Sequence, residues 1–242
     1  MILARIGWRI LFFLSTPLIL PEAIYARWRT PRLPEAKDPT EGSSPSALFP
    51  PLKIAFIGES TIAGVGAHDM KNALTGSTIT ALEKSYCVKW SIVGHNGIRI
   101  SELLPYLTKD LLSDKQTIIV AIGANDTTKL TSYNRWIEGL VRFITKVRSH
   151  TDAPIIFSEL PPMHLFTALP QPLRTVVGQR AKLFDKALRG VCEADESCHY
   201  LPLNFEPRPG YLATDGYHPS ELAYQEWGER LATFIHEINQ HK

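Results

Sequence analysis

The sequence predicts an α/β fold: a central five-stranded parallel sheet with helices on both faces. Three observations carry this. Strand-like and helix-like segments alternate five times after residue 53, with no internal repeat, which is the pattern of a parallel sheet built from strand–helix–strand units. Residues 117–122, Thr-Ile-Ile-Val-Ala-Ile, form an unbroken run of the kind found in a central strand covered on both sides. Residues 53–60, Lys-Ile-Ala-Phe-Ile-Gly-Glu-Ser, read as a buried strand that enters a tight turn and stops on Ser60, at the sheet edge where such folds bind ligands.

Taken from the N-terminus, residues 1–29 differ from the rest. Arg5 and Arg9 precede the apolar run 10–20, and Arg27, Arg29 and Arg32 follow it. The uninterrupted apolar core is shorter than the roughly 20 residues a span requires. Extending it from Ile6 to Tyr25 gives the length but obliges Arg9 and Glu22 to reach toward the interfaces. Trp8, Tyr25 and Trp28 sit where interfacial aromatics occur. The expectation is an uncleaved membrane anchor or a segment lying in the interface. A cleaved signal is the rival, with a poor small-residue site at Ile24 and Ala26, and a buried helix of the domain itself is the plain alternative. The implied location is membrane-associated, at an inner membrane or in the periplasm. Basic residues on both sides leave the orientation open. Residues 30–52 are rich in proline, serine and acidic residues and read as a linker, so the folded domain is expected over 53–242.

Within that domain the first strand covers 53–57. A helix over 71–86 gains an apolar side from Ala73, Leu74, Ile79, Leu82 and Tyr86. The second strand is 88–93, followed by the glycine-containing loop 94–97. A helix begins near Ser101, whose hydroxyl together with Glu102 suits a first turn, and carries Leu103, Leu104, Leu107 and Leu111. The third strand, 117–122, ends at Gly123-Ala124-Asn125-Asp126. Trp136, Leu140, Val141, Ile144 and Val147 recur at helical spacing over 133–148. A fourth strand covers 154–158. Pro161, Pro162, Pro170 and Pro172 mark a long loop. A helix over 178–192 and a fifth strand over 199–203 follow. Pro219 or Ser220 opens a last helix that reaches about residue 239.

Composition limits the function classes. The 242 residues, 44% hydrophobic and 21% charged, are ordinary for a globular chain with a sizeable core. A net charge of +2 and the lack of a basic block with interleaved aromatics point away from nucleic acid. Three cysteines, Cys87, Cys192 and Cys198, do not make a disulfide framework. Cys192 and Cys198 could close a small loop in an oxidising compartment or stand as two unlinked small residues. None of the three has metal-ligand spacing with histidine.

In a parallel sheet the strand C-termini share one edge. That edge gathers Ser60 after the first strand, Gly97 after the second and Asn125 after the third. Asp215 and His218 lie beyond the fifth, in the loop before the last helix. A serine hydroxyl needs a base to become a nucleophile. His218 can take its proton, and Asp215, three positions earlier, can hold the imidazole tautomer. The oxyanion of acyl transfer needs preplaced donors. The Ser60 and Gly97 N–H groups and the Asn125 amide could supply them.

Four segments in order resemble the SGNH hydrolases, the GDSL-type lipases and esterases: FIGEST around Ser60, NGIRISEL around Gly97, IGAND around Asn125 and DGYHPS around Asp215 and His218. The resemblance covers residue 53 to about 239. It implies a flavodoxin-like three-layer α/β/α sandwich, hydrolysis of esters or thioesters, and no metal or organic cofactor. It also implies Ser60 as nucleophile, Asp215 and His218 as acid and base, and Gly97 and Asn125 as oxyanion donors. The serine block usually reads Gly-Asp-Ser, and here it reads Gly58-Glu59-Ser60. Gly94 is a second candidate in the loosely matched glycine block. Ile62 stands where G-x-S-x-G requires glycine, which sets aside the α/β-hydrolase elbow.

The leading expectation is a serine hydrolase that cleaves a small-molecule or lipid acyl ester, with a lysophospholipid or thioester among the candidates. The loop 163–169 is a candidate wall of the acyl pocket. An O-acetyl esterase or acyltransferase acting on a cell-surface glycan is the second reading. A membrane-tethered, non-catalytic binding module of the same fold is the third, kept open by Glu59.

Overall fold

The computed structural model describes residues 2–37, 39–44, 49–204 and 208–240. Helix α1 spans Ile2–Arg29. Strand β1 (Glu41–Ser43) and strand β2 (Pro51–Gly58) follow, then helix α2 (Leu74–Leu82) and strand β3 (Cys87–Gly94). Next come α3 (Ile100–Leu103), a 3₁₀ turn (Leu104–Tyr106), α4 (Lys109–Leu112) and β4 (Thr117–Ala121). The rest is α5 (Ala124–Thr128), α6 (Tyr133–Arg148), β5 (Ile155–Ser158), α7 (Leu173–Glu193), β6 (Cys198–Leu201) and α8 (Glu221–Gln240).

The sheet order is β1-β3-β2-β4-β5-β6. The last five strands are parallel, and β1 runs antiparallel on the edge of β3. The expected five-stranded parallel sheet is therefore corrected to a mixed sheet of six. The extra strand comes from the stretch read as linker, part of which (38 and 45–48) lies outside the described residues. Glu41-Gly42-Ser43 has no apolar residue to reveal a strand. Gly42 lies against the Trp90 ring, where a Cβ would sit 2.3 Å from the ring, so its lack of a side chain is what admits the strand. The first parallel strand also begins two residues earlier than expected, at Pro51.

Two apolar layers hold the sheet. One face packs Leu74, Ile79 and Leu82 of α2 and Tyr224, Trp227 and Leu231 of α8 over Ile54, Phe56 and Ile119. The other packs α3, α6 and α7 over Ala55, Ile57, Ile118 and Val120, with Trp136 and Phe184 stacked 5.4 Å apart. Each fully buried Leu, Ile or Phe here contributes about 1.5–3 kcal/mol. Every residue of β4 is buried, as its sequence requires. The result is an α/β/α sandwich, with α1 added outside α7.

Three helices differ from expectation. The single helix from Ser101 is broken into α3, the 3₁₀ turn and α4. Pro105 lacks the N–H that the helix needs, and the Thr108 hydroxyl accepts the Leu111 N–H at 3.3 Å to start α4 anew. Helix α7 begins at Leu173 rather than near 178, because its first turns carry Leu173 and Val176 toward α1 rather than toward the sheet. Helix α2 is shorter than 71–86, since the chain after Ser60 winds in turns up to Ala73.

Strand β2 lies between β3 and β4, with Gly58 level with Gly94 on one side and Ala121 on the other. The chain departs to opposite sides of β2, so the residues after its C-terminus sit where such sheets open a crevice. Ser60 occupies that position.

Candidate active site

Ser60 follows β2 in a tight turn. The Ile62 and Ala63 N–H groups donate to the Glu59 carbonyl at 2.9 and 3.1 Å, and Val65 N–H donates to the Ser60 carbonyl at 2.9 Å. This fixes the backbone on both sides of a serine that is 6% exposed. The Ser60 Oγ lies 3.1 Å from His218 Nε2. His218 Nδ1 lies 2.6 Å from Asp215 Oδ2.

The Asp215 turn is self-bracing. Its Oδ1 accepts the N–H groups of Tyr217 and His218 at 2.9 and 3.0 Å, while Oδ2 faces the imidazole. Burial works against the charged carboxylate, but the hydrogen bonds from the His218 ring and from the His218 and Tyr217 amides outweigh it and hold the carboxyl below its usual range. An ionised Asp215 keeps the proton on Nδ1 and leaves Nε2 as an acceptor for the serine hydroxyl. The loop reaches Ser60 because Gly66, at φ +103°, presents no side chain. A Cβ there would sit 2.3 Å from the Pro219 carbonyl oxygen. Ala213 N–H donates to the His218 carbonyl at 2.8 Å and closes the loop from the other side.

Glu59, the departure from Gly-Asp-Ser, is buried at the base of the site. Its Oε1 accepts Ala124 N–H at 2.8 Å, and its Oε2 accepts Asn125 N–H at 2.9 Å and the Asn125 side-chain amide at 2.6 Å. It thereby binds the unsatisfied N–H groups that open α5 and fixes the Asn125 rotamer. Burial raises the Glu59 carboxyl to about 7, against the pull of the Asn125 and Ala124 amides. Asn125 has two amide hydrogens, one of which engages Glu59.

Gly97 lies beyond the end of β3, on the same sheet edge. Its carbonyl accepts Lys129 Nζ at 2.5 Å, and Lys129 N–H in turn closes α5 on the Asn125 carbonyl at 2.8 Å. Asp126 Oδ2 accepts Ile100 N–H at 2.9 Å. The glycine loop and the Asn125 turn are therefore tied together twice. Gly94 has a packing role instead, since a Cβ there would meet Ala63 N at 2.5 Å.

A cavity of about 300 Å³ opens beside Ser60 and His218. Pro161, Pro162, Leu165, Phe166, Leu212 and Trp227 give it a mostly apolar lining. The loop expected to wall an acyl pocket does line it, through Leu165, Phe166 and Thr167. Cys192 and Cys198 are buried free thiols in the core, away from the site. Among the described residues no group of three His, Cys, Asp or Glu is arranged to hold a metal.

The sequence reading placed Ser60, Gly97, Asn125, Asp215 and His218 on one edge, and the fold puts all five there. It missed the Glu59–Asn125 contact and the two ties made by Lys129 and Asp126. An acidic residue beside the serine and a second one after Asn125 were the available signals, but neither discloses a partner some 26 to 66 positions away.

The profile of the GDSL-like lipase/acylhydrolase family matches residues 56–226. A GDSL-like esterase of Mycobacterium tuberculosis is 29% identical over 112 residues, covering 44% of this chain and 35% of that protein. The matched part is thus about a third of that relative's length. Among solved structures, a family 3 carbohydrate esterase of Clostridium thermocellum superposes with a TM-score of 0.62 at 17% identity, covering 78% of this chain and 98% of that one. A lipase from a goat rumen metagenome gives 0.63 at 17% identity, covering 75% and 96%. These two likenesses show the shared fold. With the family profile extending from the serine strand to the last helix, the chain belongs to the GDSL-like lipase/acylhydrolase family.

Proposed function

We propose that this protein is a serine ester hydrolase that cleaves an acyl ester through an acyl-enzyme. The observation that carries the reading is the continuous chain from Ser60 Oγ to His218 Nε2 and from His218 Nδ1 to Asp215. In the first half-reaction His218 Nε2 accepts the Ser60 proton as Oγ attacks the acyl carbonyl. Asp215 stabilises the imidazolium that forms. The carbonyl oxygen gains negative charge, which the Ser60 N–H, the Gly97 N–H and the free hydrogen of the Asn125 amide stabilise. The ester C–O bond breaks, and the leaving alkoxide takes the proton from His218. In the second half-reaction water gives its proton to His218, attacks the acyl carbon and releases the acid, and Ser60 regains its proton.

The apolar lining favours an acyl chain over a sugar at this cavity. At about 30 Å³ per water-sized group, 300 Å³ accommodates about ten non-hydrogen atoms. The part of the acyl group next to the ester bond, from a lipid-type or thioester substrate, therefore fits within it. Helix α1 is long and apolar enough to cross a membrane by length and composition, and it supports a membrane-associated enzyme. Glu59 supports catalysis rather than a binding module, because its longer side chain still reaches Asn125.

Turnover of p-nitrophenyl hexanoate by the full chain tests the reading. Ser60→Ala is expected to abolish it, with the fold unchanged by circular dichroism. Full activity in that variant would sink the mechanism.

A further inference from the structure

Helix α1 is built inside out for a helix in water. The side that meets the domain follows a three-four spacing: Arg5, Trp8, Phe12, Ser15, Ile19, Glu22 and Ala26. Three of its polar members bond to the domain. Arg5 Nη2 donates to Asn134 Oδ1 at 3.2 Å, Trp8 Nε1 donates to the Val176 carbonyl at 3.0 Å, and Glu22 Oε2 accepts Leu173 N–H at 2.9 Å. Arg180 stacks over the Trp8 ring at 4.7 Å. The opposite side is apolar and bare. Leu3, Phe13, Leu14 and Trp28 are 72–85% exposed. An uncovered apolar stripe of this length marks a contact surface.

We propose that α1 lies flat in one leaflet of an anionic phospholipid membrane, with its bare stripe in the acyl-chain boundary and the domain docked on its other side. Two observations choose this over a spanning helix and over a second protein. First, the domain contacts run from Arg5 to Ala26, about 32 Å of helix, which equals the thickness of a hydrocarbon core. A spanning α1 would carry α7 into the bilayer along with it. The α7 residues Arg174 and Lys182, which lie within the stretch matched to α1, would then sit at membrane depth, at several kcal/mol each. Second, the surroundings are cationic. Arg9 is exposed on α1 beside a cleft lined by Arg5, Leu130 and Ser132. That cleft adjoins another, sharing Leu130 and Ser132, which is lined by Arg99, Lys129, Arg135, Arg142 and Glu138; Arg99 pairs with Glu102 and Arg142 with Glu138, which leaves Lys129 and Arg135 as its excess positive charge. An apolar stripe with flanking arginines fits an anionic lipid surface.

The placement also bears on substrate access, a consequence that rests on the esterase reading above. Phe166 packs in the cluster that holds Ile19 and Ala26 of α1 and also lines the cavity beside Ser60. The membrane helix and the cavity therefore share one apolar cluster, and the substrate is an amphiphilic ester taken from that leaflet.

The test is co-sedimentation of the full chain with phosphatidylcholine vesicles, with and without phosphatidylglycerol. Binding is expected to be about tenfold or more tighter with phosphatidylglycerol and to weaken with salt. Phe13→Glu with Leu14→Glu should lower binding at least about tenfold. Arg9→Glu with Arg135→Glu should remove the preference for phosphatidylglycerol. Both pairs should keep turnover of a soluble ester, which also reports that they fold. Nitroxide labels at Leu3→Cys, Leu14→Cys and Trp28→Cys, in a Cys87→Ser background, should report one shallow depth. A deep Leu14 with the two ends in opposite leaflets would overturn the proposal in favour of a span. Failure of the wild type to bind either vesicle, or its sedimentation as a dimer that masks the labels, would overturn it in favour of a protein contact. Vesicle binding without ester turnover would leave this proposal standing and remove the esterase reading instead.

Discussion

Replacing Glu59 by Ala probes how the site holds its oxyanion donor. The substitution removes three hydrogen bonds, of 2.8, 2.9 and 2.6 Å. The shortest fixes the Asn125 amide, and above pH 7, where Glu59 is charged, such a hydrogen bond contributes about 1.5–3 kcal/mol. Releasing it lowers the population of the productive rotamer by about 10–150-fold at 1.4 kcal/mol per decade. The expected result is a fall in kcat of that size with KM little changed, because the donor acts on the transition state. Direct removal in Asn125→Ala should cost about 10²–10³-fold. If Glu59 acts through Asn125, the double variant should be within about threefold of Asn125→Ala alone. The assay is steady-state hydrolysis of p-nitrophenyl hexanoate on the four members of the cycle, each checked by thermal melting for a folded state at the assay temperature. Multiplicative losses in the double variant, or a Glu59→Ala enzyme within about threefold of wild type, would refute the reasoning.

Other expectations concern stability, the triad and the cavity. Burial raises the Glu59 carboxyl from 4.5 to about 7, so between those pH values the folded state binds more protons than the unfolded chain. Its contribution is therefore full below pH 4.5 and is lost as pH rises through 7, by about 3 kcal/mol. Denaturation of Glu59→Gln and wild type at pH 4 and pH 8 should show the difference moving by that amount in favour of Gln, and an unchanged difference would remove the effect. Asp215→Asn keeps the shape of the turn but loses the charge that sets the imidazole tautomer, so kcat should fall about 10⁴-fold; a loss below about tenfold would contradict the role. Octanoyl esters should turn over more than about tenfold faster than palmitoyl esters, given room for about ten heavy atoms. Phe166→Ala should narrow that gap, and an unchanged chain-length profile would place the acyl chain elsewhere.

Much of this molecule was legible because its elements report themselves locally. Helix α6 runs over Tyr133–Arg148, where Trp136, Leu140, Ile144 and Val147 mark one face, and β4 announces itself by having no polar face to show. The five site residues could be placed on one edge because each follows a strand or precedes a helix, and parallel strands leave no other edge for them. What escaped the sequence depends on distant partners. Strand β1 exists because Gly42 fits against Trp90. The first turns of α7 look unpatterned until α1 is laid beside them. Pro105 divides a leucine-rich stretch that otherwise has the spacing of one helix. The role of Glu59 is set by N–H groups 65 and 66 positions away. In each case the physics is ordinary, but the neighbour that completes it is supplied only by the fold.

The central claim is that Ser60 is a nucleophile activated by His218. Its most direct test is intact-mass and peptide mapping of the folded protein after exposure to a fluorophosphonate, which reacts covalently with an activated serine. The account expects one adduct per chain, on Ser60, lost in Ser60→Ala and slowed by orders of magnitude in His218→Ala. A folded protein that stays unmodified, or an adduct on another residue, would contradict it.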